Sequence, residues 1–161
     1  MTDIFTITRV FHAPRARVWR AWTDPAQFVK WFGPRDFTCE VKTFDVRPGG
    51  SVHSRLTMPG GVEMWGRFVF REVEEQRKLV WEHFFADEAG DAVRHPMQKD
   101  WPMKLLTTVT FTDEVDGTRV TLTWEPLDAN ATEHATFMAG MGSMNQGWGG
   151  TFEQLESFLA S

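Results

Sequence analysis

Of the five histidines in this 161-residue chain, His83 is the one best placed to do chemistry. It alternates with Leu79, Trp81 and Phe85, so a strand would project it from the dry face. A neutral imidazole there can orient a ligand or move a proton. The same spacing also fits a histidine that is simply hydrogen-bonded in the core. Arg9 lies between Ile7 and Phe11 in a similar position, where a charge needs an acidic partner or a ligand anion; a salt bridge at the strand end would meet that need. His12, His53, His83, His95 and His134 have no close paired spacing, and Cys39 is alone, so no zinc motif is visible and neither metal nor cofactor is expected. Cys39 alternates with Phe37 and Val41 and reads as a small buried hydrophobe. No serine sits in a G-x-S-x-G elbow, and the glycines at 147–150 lack the Lys-Ser/Thr that completes a phosphate-binding loop. Glu72, Glu74 and Glu75 read as a solvated turn. Nothing here assembles acid, base and nucleophile, and the catalytic residue, if any, stays unassigned.

The elements that would position His83 are read from hydrophobic period. Phe137, Met141, Met144, Trp148, Phe152, Leu155 and Leu159 recur at steps of three and four, which predicts one long helix over the last thirty residues. Gly140, Gly142, Gly147, Gly149 and Gly150 fall within it. Together they disfavour a helix by about 5 kcal/mol relative to alanine, so packing against a large apolar partner must offset them. Their missing side chains leave room, and methionine fills such room adaptably. The stripe therefore predicts one wall of an apolar pocket, with a tightly filled core as the alternative.

Strands are predicted at 3–12, 37–47, 51–58, 62–73, 78–86, 104–113 and 118–125. Two short helices follow the first strand, one after Pro14 carrying Val18, Trp19 and Trp22, and one from Asp24-Pro25 carrying Phe28, Trp31 and Phe32 and ending at Gly33-Pro34. Short turns at Pro48-Gly49-Gly50, Pro59-Gly60-Gly61 and Asp116-Gly117 make neighbouring strands antiparallel. A three-residue loop at 59–61 pairs Met58 with Val62, Leu56 with Met64 and Ser54 with Gly66. That puts Val52, Leu56, Met58, Val62, Met64, Phe68 and Phe70 on the face toward the helix, and His53, Arg55, Thr57, Glu63, Trp65 and Arg67 on the other. The stretch 88–103, with His95, Pro96, Trp101 and Pro102, reads either as a lid over an opening or as a plain surface excursion. The whole is a single α+β domain: a curved seven-stranded antiparallel sheet wrapped around a long C-terminal helix, with two short helices after the first strand.

Composition narrows the function classes. The chain is 42% hydrophobic, with fourteen Phe, eight Trp and no Tyr, enough for a substantial core. A net charge of -5 without a basic block argues against nucleic acid as a partner. No apolar run is long enough to span a bilayer, the N-terminus reads as a strand and not as a signal peptide, and a lone cysteine fits a cytoplasmic address.

The segments FHAPRARVWRAWTDPAQFVKWFGP at 11–34 and GWGGTFEQLESFLA at 147–160 resemble the START-like polyketide-cyclase (SRPBCC) superfamily. Within it the chain resembles the branch named after the heat-shock-protein-ninety ATPase activator. The likeness runs nearly end to end, and AVRHPMQKDWPM at 92–103 departs from the simplest branch pattern. The resemblance implies the helix-grip fold, often with a cavity between sheet and helix. It also implies a choice of functions, since members bind lipids, hormones or other apolar ligands, some catalyse cyclisation or hydration, and the eponymous members stimulate a chaperone ATPase. Three expectations follow. The first is a module enclosing a small apolar or aromatic molecule against Met64, Phe68, Trp81, His83, Trp124, Met141, Met144 and Trp148, with His83 or Arg9 fixing its polar end. The second is a protein-interaction module using an outer patch of Arg55, Trp65 and Arg67. The third is a cyclase- or hydratase-type enzyme with a pocket acid or base. The oligomeric state is not set by any of these features.

Overall fold

In the computed structural model, which describes residues 3–161, seven strands and four helices follow in the order β1 (Phe5–Phe11), α1 (Arg15–Thr23), α2 (Pro25–Trp31), β2 (Thr38–Phe44), β3 (Ser51–Thr57), β4 (Glu63–Glu74), β5 (Lys78–Ala86), β6 (Lys104–Glu114), β7 (Gly117–Leu127), α3 (Ala131–Ala139) and α4 (Met141–Ala160). The strands form one antiparallel sheet in the order β1-β7-β6-β5-β4-β3-β2. Since β1 and β2 lie at opposite edges, α1 and α2 carry the chain across the sheet. No helix among the described residues is long and apolar enough to cross a membrane.

Local chemistry sets the helix boundaries. Pro14, extended at φ -61, precedes α1, and the Asp24 carboxylate caps α2 by accepting from the Ala26 amide at 3.0 Å, with Pro25 at the first helical position. Gly33, at φ +111, turns the chain out of α2, a conformation that a side chain would strain. Asn130 and Glu133 form a reciprocal capping box at the start of α3.

The hairpin register matches the one expected from the loop at 59–61: Leu56 opposes Met64, Ser54 opposes Gly66, and the Met58 amide donates to the Val62 carbonyl. Phe68 and Phe70 are buried on the inner face, but Val62, beside the turn, is 59% exposed because nothing covers the hairpin tip there. The outer face is not uniformly wet either. His53 is only 4% exposed, because the turn after β5 folds over it and the Asp87 carbonyl meets its Nε2 at 3.0 Å.

The core lies between the inner sheet face and the helices, and it is largely aromatic. Trp22 meets Trp31 edge-on at 4.8 Å, Phe152 of α4 meets Phe11 of β1 at 5.6 Å, and Trp81 stacks on Phe68 at 4.5 Å. Trp31 satisfies its buried N–H on the Ala21 carbonyl at 2.9 Å.

One expected element divides. The stripe from Phe137 to Leu159 is carried by two helices, because the backbone at Gly140 (φ -90, ψ 5) is not helical and ends α3 where α4 begins. The Trp101 ring occupies the notch: a Cβ on Gly140 would lie 3.1 Å from its Cζ3.

A candidate ligand cavity between sheet and C-terminal helix

Directly opposed residues of an antiparallel sheet share a face, so the register builds the cavity floor. One row of the inner face runs Val52, Phe68, His83 and Leu105, and the next runs Phe70, Trp81, Thr107, Trp124 and Phe5; of these, Phe68, His83, Leu105 and Trp124 form the floor that the cavity reaches. Above this floor α4 contributes Met144, Gly147, Trp148 and Thr151, and the segment after α2 contributes Phe32, Gly33, Pro34 and Phe37. Between them lies a part-open cavity of about 680 Å³, within the usual range of roughly 300–1,000 Å³ for small-molecule sites. The residue types explain the space. A Cβ added to Gly147 would meet nothing within 4 Å, so the helix leaves its cavity side bare at that point.

The stretch 87–103 works on both sides of the sheet. It first covers the outer face, where Arg67 donates to the Gly90 carbonyl at 3.1 Å, then crosses to the cavity, which His95, Gln98, Trp101, Pro102 and Met103 help to line. Arg94 anchors it to α3 through an ion pair with Glu133 at 2.6 Å, and the Trp101 ring lies 5.6 Å from Phe137. Of the two readings for this stretch, the geometry fits a cover over an opening.

His83 lies in the floor with Phe68 edge-on at 5.1 Å and Trp124 at 5.2 Å. Burial without a charged partner pushes its pKa down to about 4, so the imidazole is neutral at pH 7. Its Nδ1 is enclosed and has no hydrogen-bond partner among the described residues; Trp81 Nε1, Thr107 Oγ1 and Trp124 Nε1 nearby share that condition. The residue as a whole is nevertheless only partly buried, and it lines the cavity. The second nitrogen, Nε2, lies beside Gly66, where a Cβ would come within 3.7 Å of it. None of the described residues lining the cavity is Asp, Glu, Lys or Arg.

Six of the eight residues named from the sequence line this cavity: Met64, Phe68, His83, Trp124, Met144 and Trp148. Trp81 does not. It is 1% exposed, sandwiched beneath Phe68 and Trp22, and belongs to the core under the floor. Met141 does not either, because it starts α4 just past the break at Gly140 and packs on the edge of the core. Arg9 is half-buried on β1 and is not part of the lining. The lining also includes Phe32, Phe37, Leu56, Gly66, Trp101 and Leu105, which were not among the eight. Leu56 and Gly66 were legible from the hairpin register, whereas Trp101 arrives from a segment with no period to read.

The remaining candidates settle into structural roles. Cys39 is buried, and burial together with the neighbouring Glu40 carboxylate pushes its thiol up to about 12, leaving no thiolate for chemistry. On the outer face Arg55 pairs with both Glu40 and Glu63 and lies 5.6 Å over the Trp65 ring, while Arg67 bonds to Gly90 and Ser51. No group of three or more His, Cys, Asp or Glu side chains among the described residues is arranged to hold a metal ion.

Comparison with solved structures agrees with this architecture. The crystal structure of a Mycobacterium smegmatis protein is 30% identical, covering 98% of this chain and 91% of that one, with a TM-score of 0.80. The solution structure of an Arthrobacter aurescens protein is 28% identical over 99% of this chain and 87% of that one, with a TM-score of 0.83. The AHSA1 protein of Silicibacter pomeroyi shares the fold at 14% identity, with a TM-score of 0.73 over 98% and 97% of the two chains. None of the curated proteins matches the chain. The family model described as "Activator of Hsp90 ATPase homolog 1-like protein" matches residues 12–160, and the chain therefore belongs to that family.

Proposed function

We propose that this protein binds a small apolar or aromatic molecule in the cavity between the sheet and α4. The observation that carries the reading is the bare stretch of α4 at Gly147 facing an aromatic floor. A helix built only to pack would gain by filling that space, since each buried methylene contributes about 0.8 kcal/mol. Instead the helix keeps a glycine that lowers its own propensity. Phe32, Phe68, Trp124 and Trp148 give flat apolar surface, and Met64, Met103 and Met144 adapt to shape.

Trp101, Trp124 and Trp148 line the cavity and make their own reporter. Titrating the protein with a panel of aromatic compounds, alcohols and fatty acids is expected to quench tryptophan fluorescence saturably for at least one class. Gly147→Leu, which fills the bare stretch from the helix side, is expected to keep the fold by circular dichroism and to lose that response. A flat response across the panel in the unmodified protein would sink the reading.

A further inference from the structure

We infer that the cavity selects an uncharged ligand and holds its hydrogen-bonding group, a hydroxyl or carbonyl, at His83 Nε2. This rests on the ligand-binding reading above and specifies the chemistry of the molecule taken.

The lining excludes ions by having nothing to pair them with, as no ionised side chain reaches the cavity. Three arginines of the neighbouring strands and cover are engaged elsewhere: Arg55 with Glu40 and Glu63, Arg67 with Gly90 and Ser51, Arg94 with Glu133. A carboxylate drawn inside would leave water without recovering a counter-charge. A neutral polar group faces no such cost if it finds one good partner.

His83 is that partner. Its Nδ1 is shut in, while Nε2 lies on the side of Gly66, and both His83 and Gly66 line the cavity. The backbone does not require glycine at position 66, since its φ is not positive, and a Cβ there would touch nothing closer than 3.7 Å. The atom it would touch is Nε2. A glycine in mid-strand often marks a bulge, a bend or a site where a ligand or another backbone approaches closely, and here its effect is to leave one ring nitrogen uncovered by a side chain. The imidazole is neutral, so Nε2 either donates to a carbonyl or accepts from a hydroxyl according to which nitrogen carries the proton.

The test uses three probes with one ring system: naphthalene, 2-naphthol and 2-naphthoate, titrated at neutral pH into nitrogen-15-labelled protein and followed by amide chemical shifts. The expected order is 2-naphthol tighter than naphthalene by roughly fivefold, the worth of one net hydrogen bond, with 2-naphthoate weaker than both. His83→Phe keeps an aromatic ring and removes both nitrogens, and Gly66→Ala covers Nε2 with a methyl. In each variant the ratio of 2-naphthol to naphthalene affinity is expected to fall from about five to about one, whatever the change in naphthalene affinity itself. If 2-naphthoate binds as tightly as 2-naphthol, or if His83→Phe retains the preference, this inference is overturned while the cavity reading stands. If none of the three shifts any resonance, the cavity reading fails and this inference with it.

Discussion

A neutral imidazole held in an aromatic floor has a consequence for acid stability that can be worked out by sign. Unfolded, His83 titrates near its ordinary value of 6.5; folded, burial holds it near 4. Between those values the unfolded chain binds a proton that the folded chain does not, so stability is complete above pH 6.5 and declines as pH falls toward 4. Over the two units from 6.5 to 4.5 the decline attributable to His83 is about 2 to 3 kcal/mol. His95, also lowered by burial, adds to the same slope, whereas the lowered carboxylates of Glu82 and Glu133 begin to act only below their ordinary 4.5. Urea unfolding of the native protein and His83→Phe at pH 7 and pH 4.5 is expected to show the variant losing markedly less between the two. Equal losses would mean that the imidazole is not held neutral. At this scale the sequence was readable as far as direction. Alternation along β5 was enough to point His83 inward, but the same alternation pointed Trp81 inward too. What separates them is depth: Trp22 and Phe68 close over Trp81, and period along one strand carries no information about which neighbours arrive from elsewhere.

At the scale of elements, the seven strands and the two short helices were legible because their signals are local: alternation, proline and glycine turns, and an aspartate cap. The C-terminal stripe was legible as a face but not as two pieces. Phe137, Met144 and Trp148 all reach the core, so the spacing survives the break at Gly140, and only the Trp101 ring in the notch, contributed by a distant segment, shows why the chain must turn there. The glycines therefore divide into kinds that substitution can tell apart. A Cβ at Gly142 or Gly149 meets nothing within 4 Å, so alanine at either is expected to stabilise the helix by about 0.5 to 1 kcal/mol, the smaller effect belonging to Gly142 in the first turn. For a chain of this size that is a rise in Tm of roughly 2 to 4 °C per kcal/mol. Alanine at Gly140 is expected to lower Tm, since the Trp101 ring must give way. Scanning calorimetry of the three single variants checks the split, and a gain at Gly140 equal to that at Gly149 would remove the notch from the account.

At the scale of the molecule, the segment 87–103 joins parts that the sheet alone leaves separate. It begins on the outer face against His53 and Arg67, crosses the cavity, and is tied to the start of α3 by Arg94. The tie has a geometry suited to holding a cover. Glu133 uses one carboxylate oxygen on the Asn130 amide and the other on the Arg94 guanidinium, which also bonds to the Lys99 and Trp101 carbonyls. One cation thus fixes both ends of the cover, and the ion pair with Arg94, followed by the bond from Asn130, keeps the Glu133 carboxyl below the usual carboxylate range. Arg94→Ala should then act locally. The half-exposed arginine contributes little to global stability, on the order of 1 kcal/mol, and beside it the Trp101 ring holds residues 94–101 to α3, against Phe137 and in the notch at Gly140. Hydrogen exchange is expected to accelerate about tenfold at amides of 94–103, the signature of local opening at a cost of roughly 1.4 kcal/mol, while the amides of β6 and β7 keep their protection. Uniform acceleration across the sheet would show instead that Arg94 supports the whole fold, and no change anywhere would show that Trp101 alone holds the cover down.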